Sequence, residues 1–121
     1  MSIMIYMHII EIKMPWDIQM RKFMVTDNIK ERFAGLLPYG KMPEKIDGLL
    51  MPFNKLVKTP VHTHGMKFPI DVIFLDELYN IIERHDNVMP DKRNIIIVEF
   101  LPTIVPKVKY KYLLETEHGV I

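Results

Sequence analysis

Two histidines, His62 and His64, stand two residues apart just ahead of an apolar run that carries Asp71. On a strand, side chains at i and i+2 share a face, so the two imidazoles could ligate one metal ion. Two ligands do not complete a site, and a third would have to come from Asp71, Asp76, His85 or a residue across the sheet. Paired with Asp71, His62 could instead be an oriented general base. The nucleophile for such a base is lacking. The chain has no cysteine, Ser2 is its only serine, and Thr63 has no activating terminus beside it. Thiolate metal sites are excluded and serine- or cysteine-type hydrolysis is disfavoured on these grounds, while a metal- or base-activated water stays open. The plainer reading of the pair is two surface or hydrogen-bonded histidines.

Asp71 enters a run whose neighbours read as buried. A carboxylate there needs hydrogen bonds or a charge partner to offset its desolvation. Either it accepts backbone amides in the neighbouring turn or pairs with Arg32 or Arg93, or it is a polar anchor in a pocket; the first is favoured. A second surface could form from Arg32, Lys41, Lys45, Lys55, Lys58 and Lys67 with Tyr39, Phe53 and Phe68, as a platform for single-stranded nucleic acid. The formal net charge of +1 argues for a solvated rim instead. Glu115-Thr116-Glu117-His118 reads most simply as a solvated terminus.

The elements that must position these residues read as β-rich. Ala34 is the only alanine, and β-branched residues, isoleucine above all, are many, which disfavours a helical bundle. Ile3–Ile10 and Gln19–Thr26 alternate with period two and flank a break at Pro15, so a hairpin is expected. Asn28 and Glu31 have capping-box spacing ahead of a short helix that Gly35 is placed to end. Leu49-Leu50-Met51 opens a third strand that Pro52 stops or bends. Ile70–Leu75 is apolar throughout, so both faces are expected to be covered. Asp76-Glu77-Leu78-Tyr79 is a turn, with Asn80–Glu83 as the returning strand. Asp86–Asn94 reads as a loop, Ile95–Leu101 as another buried strand, Thr103–Pro106 as a connection, and Tyr110–Glu115 as the last strand. Short runs bounded by turn signals point away from βαβ units. The expectation is one mainly β (α+β) domain over residues 1–121: a small, mostly antiparallel β barrel or curled sheet of about seven strands with one short helix.

Four segments resemble the DUF192 family, small uncharacterised domains of bacteria and archaea. They are Arg32-x-x-Gly35-Leu36, Gly48-Leu49, the long central motif from Val61-His62-Thr63-x-Gly65-Met66 through Asp76, and Leu113-Leu114-Glu115 with Gly119. The resemblance implies a compact β-rich fold and carries no activity with it. The central motif resembles the family's His-Thr-x-Gly-Met branch, and His64 replaces a residue that is usually aromatic in that branch. Tyr79 replaces a turn glycine, which argues against a tight positive-φ turn there. The family usually continues past the closing glycine into a further strand, whereas this C-terminus is shortened and ends at Ile121. That implies an open sheet edge, which Ile3–Ile10 would cover in this chain or in a homodimer.

The expected function is that of a soluble cytoplasmic binding or accessory module. Its guest would be a small molecule or a peptide segment, held in a groove near residues 61–71 by His62, Thr63, His64, Met66, Asp71 and Arg32. A metal-assisted hydrolase on His62, His64 and Asp71 is the first alternative, and a small nucleic-acid-binding barrel the second. No catalytic residue and no cofactor is assigned. Met1–Ile10 lacks a basic start and a cleavage site, and no apolar run is long enough to span a membrane.

Overall fold

The fold is taken from a computed structural model that describes residues 8–28, 31–32, 35–36, 39–62, 66–90 and 103–121. Its eight described strands are β1 (His8–Ile12), β2 (Arg21–Val25), β3 (Gly48–Val57), β4 (Val61–His62), β5 (Ile70–Leu75), β6 (Ile81–Val88), β7 (Thr103–Ile104) and β8 (Tyr110–Glu117). Six form one sheet in the order β1-β2-β3-β8-β5-β6, and β4 pairs with β7 as a separate ribbon.

The expected hairpin forms, with β1 antiparallel to β2 from His8↔Val25 to Ile12↔Arg21. Asp17 holds its turn by accepting from Arg21 Nε at 2.9 Å and from the Gln19 amide. β2 then runs parallel to β3. The expectation against βαβ connections therefore fails at this point. Parallel neighbours need a long crossover, and the segment between Thr26 and Asp47 supplies it. Within that segment the cap lies where the sequence places it. Asn28 Oδ1 accepts the Glu31 amide at 2.9 Å, and Glu31 reaches back to the Asp27 amide. The amides of Arg32 and Gly35 bond to the carbonyls of Asn28 and Glu31, and Gly35 ends the turn at φ +50°. The rest of the expected helix lies outside the described residues, as does the expected strand Ile95–Leu101.

Pro52 bends β3 and does not stop it, since the register against β8 shifts between Pro52 and Val57. Gly48 sits where β3 meets β8 most closely. A Cβ there would stand 2.9 Å from both the Glu115 carbonyl oxygen and Thr116 Cγ2. β5 is the fully buried strand the apolar run implies, flanked by β8 and β6. β6 runs to Val88 through residues expected to form a loop, because Asn87 (φ +53°) makes a bulge that lets pairing resume at Ile70↔Val88. Thr103–Ile104 is likewise a strand and not a simple connection.

Tyr79 corrects another expectation. It adopts φ +67° although it is not glycine. Its ring stacks on Tyr112 with centroids 4.4 Å apart, and Asp76 Oδ1 accepts the Leu78 and Asn80 amides across the turn. Packing on both sides of the backbone offsets the strain of the left-handed conformation.

The two faces of the sheet build two cores. Leu49, Met51, Ile70, Val72, Phe74 and Leu113 enter the first, beneath Leu36, Met42, Val61, Met66 and Phe68. Phe23, Leu50, Ile73, Leu75 and Leu114 enter the second, which also takes Ile10 and Ile12 of β1 and Ile81 of β6. β1 and β6 lie at opposite edges, so sharing one core means that the sheet curls. Trp16 Nε1 donates to the Tyr79 carbonyl at 2.8 Å and ties the two ends of the curl together. Among the described residues, β1 and β6 form no ladder, so this is a curled open sheet and not a closed barrel. The last strand, β8, is interior and paired on both sides, so among the described residues the sheet's edges are β1 and β6. β1 covers β2, not an edge left beside β8. Among the described residues no helix is long and apolar enough to cross a membrane.

Candidate ligand pocket

A cavity of about 440 Å³ opens on the first face of the sheet. Met51 and Phe53 of β3 and Tyr110, Leu113 and Glu115 of β8 make its floor. The helical turn contributes Arg32, Gly35 and Leu36, and the chain entering and leaving β4 contributes Thr59, Pro60, Val61, His62 and Met66. Its polar groups are few and come from different elements. The Arg32 guanidinium lies 5.0 Å from the centre of the Phe53 ring, and its Nη1 donates to the Pro52 carbonyl at 3.3 Å. The Tyr110 hydroxyl donates to the Thr59 carbonyl at 2.8 Å, which fastens the Thr59–His62 wall to the sheet. Burial pushes the Tyr110 phenol up to about 12; the Thr59 bond works against that, and the neighbouring Glu115 charge adds to it.

Glu115 is the unusual member. Its side chain follows from strand geometry: Leu113 and Glu115 share a face, and Leu114 points to the second core. It is 4% exposed and makes no side-chain hydrogen bond or ion pair among the described residues. Burial alone raises its carboxyl to about 7. Its Oε1 faces Gly35: a Cβ there would lie 3.5 Å from Glu115 Oε1 and 3.7 Å from Met51 Cε, both ordinary contacts. The reading of Glu115-Thr116 as a solvated terminus is therefore wrong. Both residues are buried, because the last strand of the chain is an inner strand of the sheet.

The residues singled out from the sequence fall into separate places. Arg32, His62 and Met66 meet in the pocket. Thr63 and His64 lie outside the described residues. Asp71 lies on the opposite face, 1% exposed and fully engaged. Its Oδ1 accepts the Asn87 amide and His118 Nδ1, both at 2.8 Å, and its Oδ2 accepts the Gly119 amide at 3.2 Å and Arg84 Nη2 at 3.4 Å. Burial pushes the Asp71 carboxyl up, but the Asn87 amide, His118 and the Gly119 amide outweigh it and hold it below the ordinary value. This is the structural role read from the sequence, with Arg84 as the cation in place of Arg32. Asp76 is spent on its turn, and His85 pairs with Glu83 at 2.6 Å. Among the described residues no three His, Asp or Glu side chains gather as metal ligands. Of the proposed nucleic-acid platform, Phe68 is buried and Arg32 and Phe53 belong to the pocket.

A sequence model of DUF192, a family described only as an uncharacterized ACR, matches residues 10–121. This chain belongs to the DUF192 family. Of the thirteen pocket-lining residues, Arg32, Gly35, Leu36, Val61, His62, Met66, Leu113 and Glu115 lie in the segments that carry the family resemblance. Three segments far apart in the DUF192 chain thus converge on one cavity. The closing Leu-Glu pair was the signal for Glu115: a carboxylate set beside two leucines on a strand. Among solved structures, the fold is similar to a Sinorhizobium meliloti protein described as a candidate transcription regulator, with TM-score 0.70 and 19% identity over 84% of this chain and 72% of that one. It is also similar to a Novosphingobium aromaticivorans protein of unknown function, with TM-score 0.69 and 14% identity over 84% of this chain and 66% of that one. At these identities the likeness is one of fold. No curated protein matches the chain.

Proposed function

We propose that this DUF192 protein is a soluble, cytoplasmic binding module whose small-molecule ligand occupies the pocket between β3, β8 and the helical turn. The carrying observation is a buried carboxyl, Glu115, set without a partner among the described residues into an apolar cavity. A cavity of this size suits a small organic molecule, and such sites pair apolar walls with a few placed polar groups. Burying an unmet carboxyl destabilises the fold, and a bound ligand would relieve that cost. A hydrolase built on His62, His64 and Asp71 is less well supported, because Asp71 is committed to holding the β6 bulge and the C-terminal turn on the other face.

The test uses the methionine methyls. Met51 and Met66 line the pocket, while Met89 is exposed and lies outside it. In a screen of small amphipathic fragments by ¹³C-methyl NMR, hits are expected to shift Met51 and Met66 and leave Met89 unmoved. Leu113→Phe, which intrudes on the cavity, is expected to weaken those hits at least tenfold. If no fragment at millimolar concentration moves the two pocket methyls, or if Leu113→Phe changes nothing, the proposal fails.

A further inference from the structure

We propose that the pocket selects an organic cation, a protonated amine carried on an apolar body, with the ammonium on the Glu115 carboxylate. This inference rests on the pocket being a ligand site. The geometry narrows the guest in three steps. Among the described lining residues the carboxyl without a partner is that of Glu115, buried to more than nine-tenths and facing Gly35 across the cavity. The one guanidinium lining the cavity, Arg32, is already placed on the Phe53 ring and the Pro52 carbonyl, and it makes no ion pair with Glu115. The unmet charge is therefore negative, and its complement is a cation.

The described walls do not suit a bare metal ion. Among the described lining residues Glu115 is the only carboxylate, and Met51, Leu113 and Leu36 offer no oxygen ligands. A cation that keeps most of its surface apolar fits those walls. Tyr110, whose ring meets Phe53 edge to face at 5.4 Å, offers aromatic surface in the same cavity, while Phe53 is taken by Arg32. Among the described lining residues the other titratable groups besides Arg32 are His62 and Tyr110, and the Tyr110 hydroxyl is already given to the Thr59 carbonyl.

Matched probes test this: 2-phenylethylamine against 2-phenylethanol, and isopentylamine against isopentanol, titrated at pH 8 on the native chain and on Glu115→Gln. Binding is read from the Met51 and Met66 methyls. Each amine is expected to bind the native chain at least tenfold more tightly than its alcohol, and Glu115→Gln is expected to abolish that preference while leaving the alcohols unchanged. Retained alcohol binding also shows that the variant is folded. Equal binding of amine and alcohol, or an amine preference that survives in Glu115→Gln, overturns the cation proposal and leaves the pocket standing. If none of the four probes moves either methyl, the cation proposal is overturned; a fragment screen equally without hits then removes the pocket reading as well.

Discussion

Glu115→Gln is expected to stabilise the protein by about 3 kcal/mol at pH 8.5 and to change it little at pH 4. The sign follows from linkage. The folded carboxyl titrates at about 7, above its ordinary value of 4.5. At low pH both folded and unfolded chains are protonated, and the acid and the amide are nearly equivalent. As pH rises from 4.5 to 7, the unfolded chain ionises freely while the folded chain holds its proton, so the native protein loses stability across that window. A shift of this size corresponds to about 3 kcal/mol once both states are ionised. Glutamine keeps the shape without the charge and escapes the loss. Urea denaturation at pH 4 and pH 8.5 measures the difference, which corresponds at the higher pH to a Tm rise on the order of 10 °C. Equal stabilities of the two chains at pH 8.5 would mean that Glu115 has an unseen partner.

Asp71→Ala is expected to cost about 3–5 kcal/mol at neutral pH. The carboxylate is the acceptor for two backbone amides, those of Asn87 and Gly119, and it meets His118 and Arg84 as well. Alanine leaves two donors with no acceptor and releases the β6 bulge that Asn87 makes at positive φ. Arg84 also donates to the Ile121 carbonyl, so the C-terminal turn should loosen with it. Asp71→Asn keeps one oxygen and should cost less. The pH dependence runs opposite to that of Glu115. The folded pKa of Asp71 lies below its ordinary 3.8, so its contribution is present above that value and is lost as pH falls through the folded pKa. The native chain should therefore lose an increment of stability in acid that Asp71→Asn lacks. Because Asp71 is on the far face, a folded Asp71→Asn should bind pocket ligands as the native chain does. Chemical denaturation across pH 2–7, paired with the methyl NMR titration, checks both halves.

The contrast between these two carboxylates shows what local sequence could and could not convey. Asp71 was legible because its surroundings in sequence, Ile70 and Val72–Leu75, already mark it as buried, and a buried carboxylate needs amides or a cation. The cap at Asn28 and Glu31 and the stop at Gly35 were legible for the same reason, since their partners lie within a few residues. Glu115 was not. It sits among Thr116, Glu117 and His118 near the end of the chain, and only the strand order places β8 between β3 and β5. That order is a long-range property, and the two leucines ahead of Glu115 were its one local sign. β6 was cut short for a related reason. Its Glu83-Arg84-His85-Asp86 stretch is polar because the strand is half-exposed, and among the described residues it pairs with β5 alone. Tyr79 defied a sound steric rule because Tyr112, from another strand, stacks on it.

The pocket became visible only when Arg32, His62 and Glu115 were brought together from three distant segments. His62 lines the cavity, but the aspartate expected to accompany it faces away. The most direct check of the account is the titration of the Glu115 carboxyl carbon, followed by ¹³C NMR in the ligand-free protein and assigned by its absence in Glu115→Gln. A midpoint near 7 is the predicted result. A midpoint near the ordinary 4.5 would contradict it, because the carboxyl would then be solvated or paired and the pocket would hold no unmet charge.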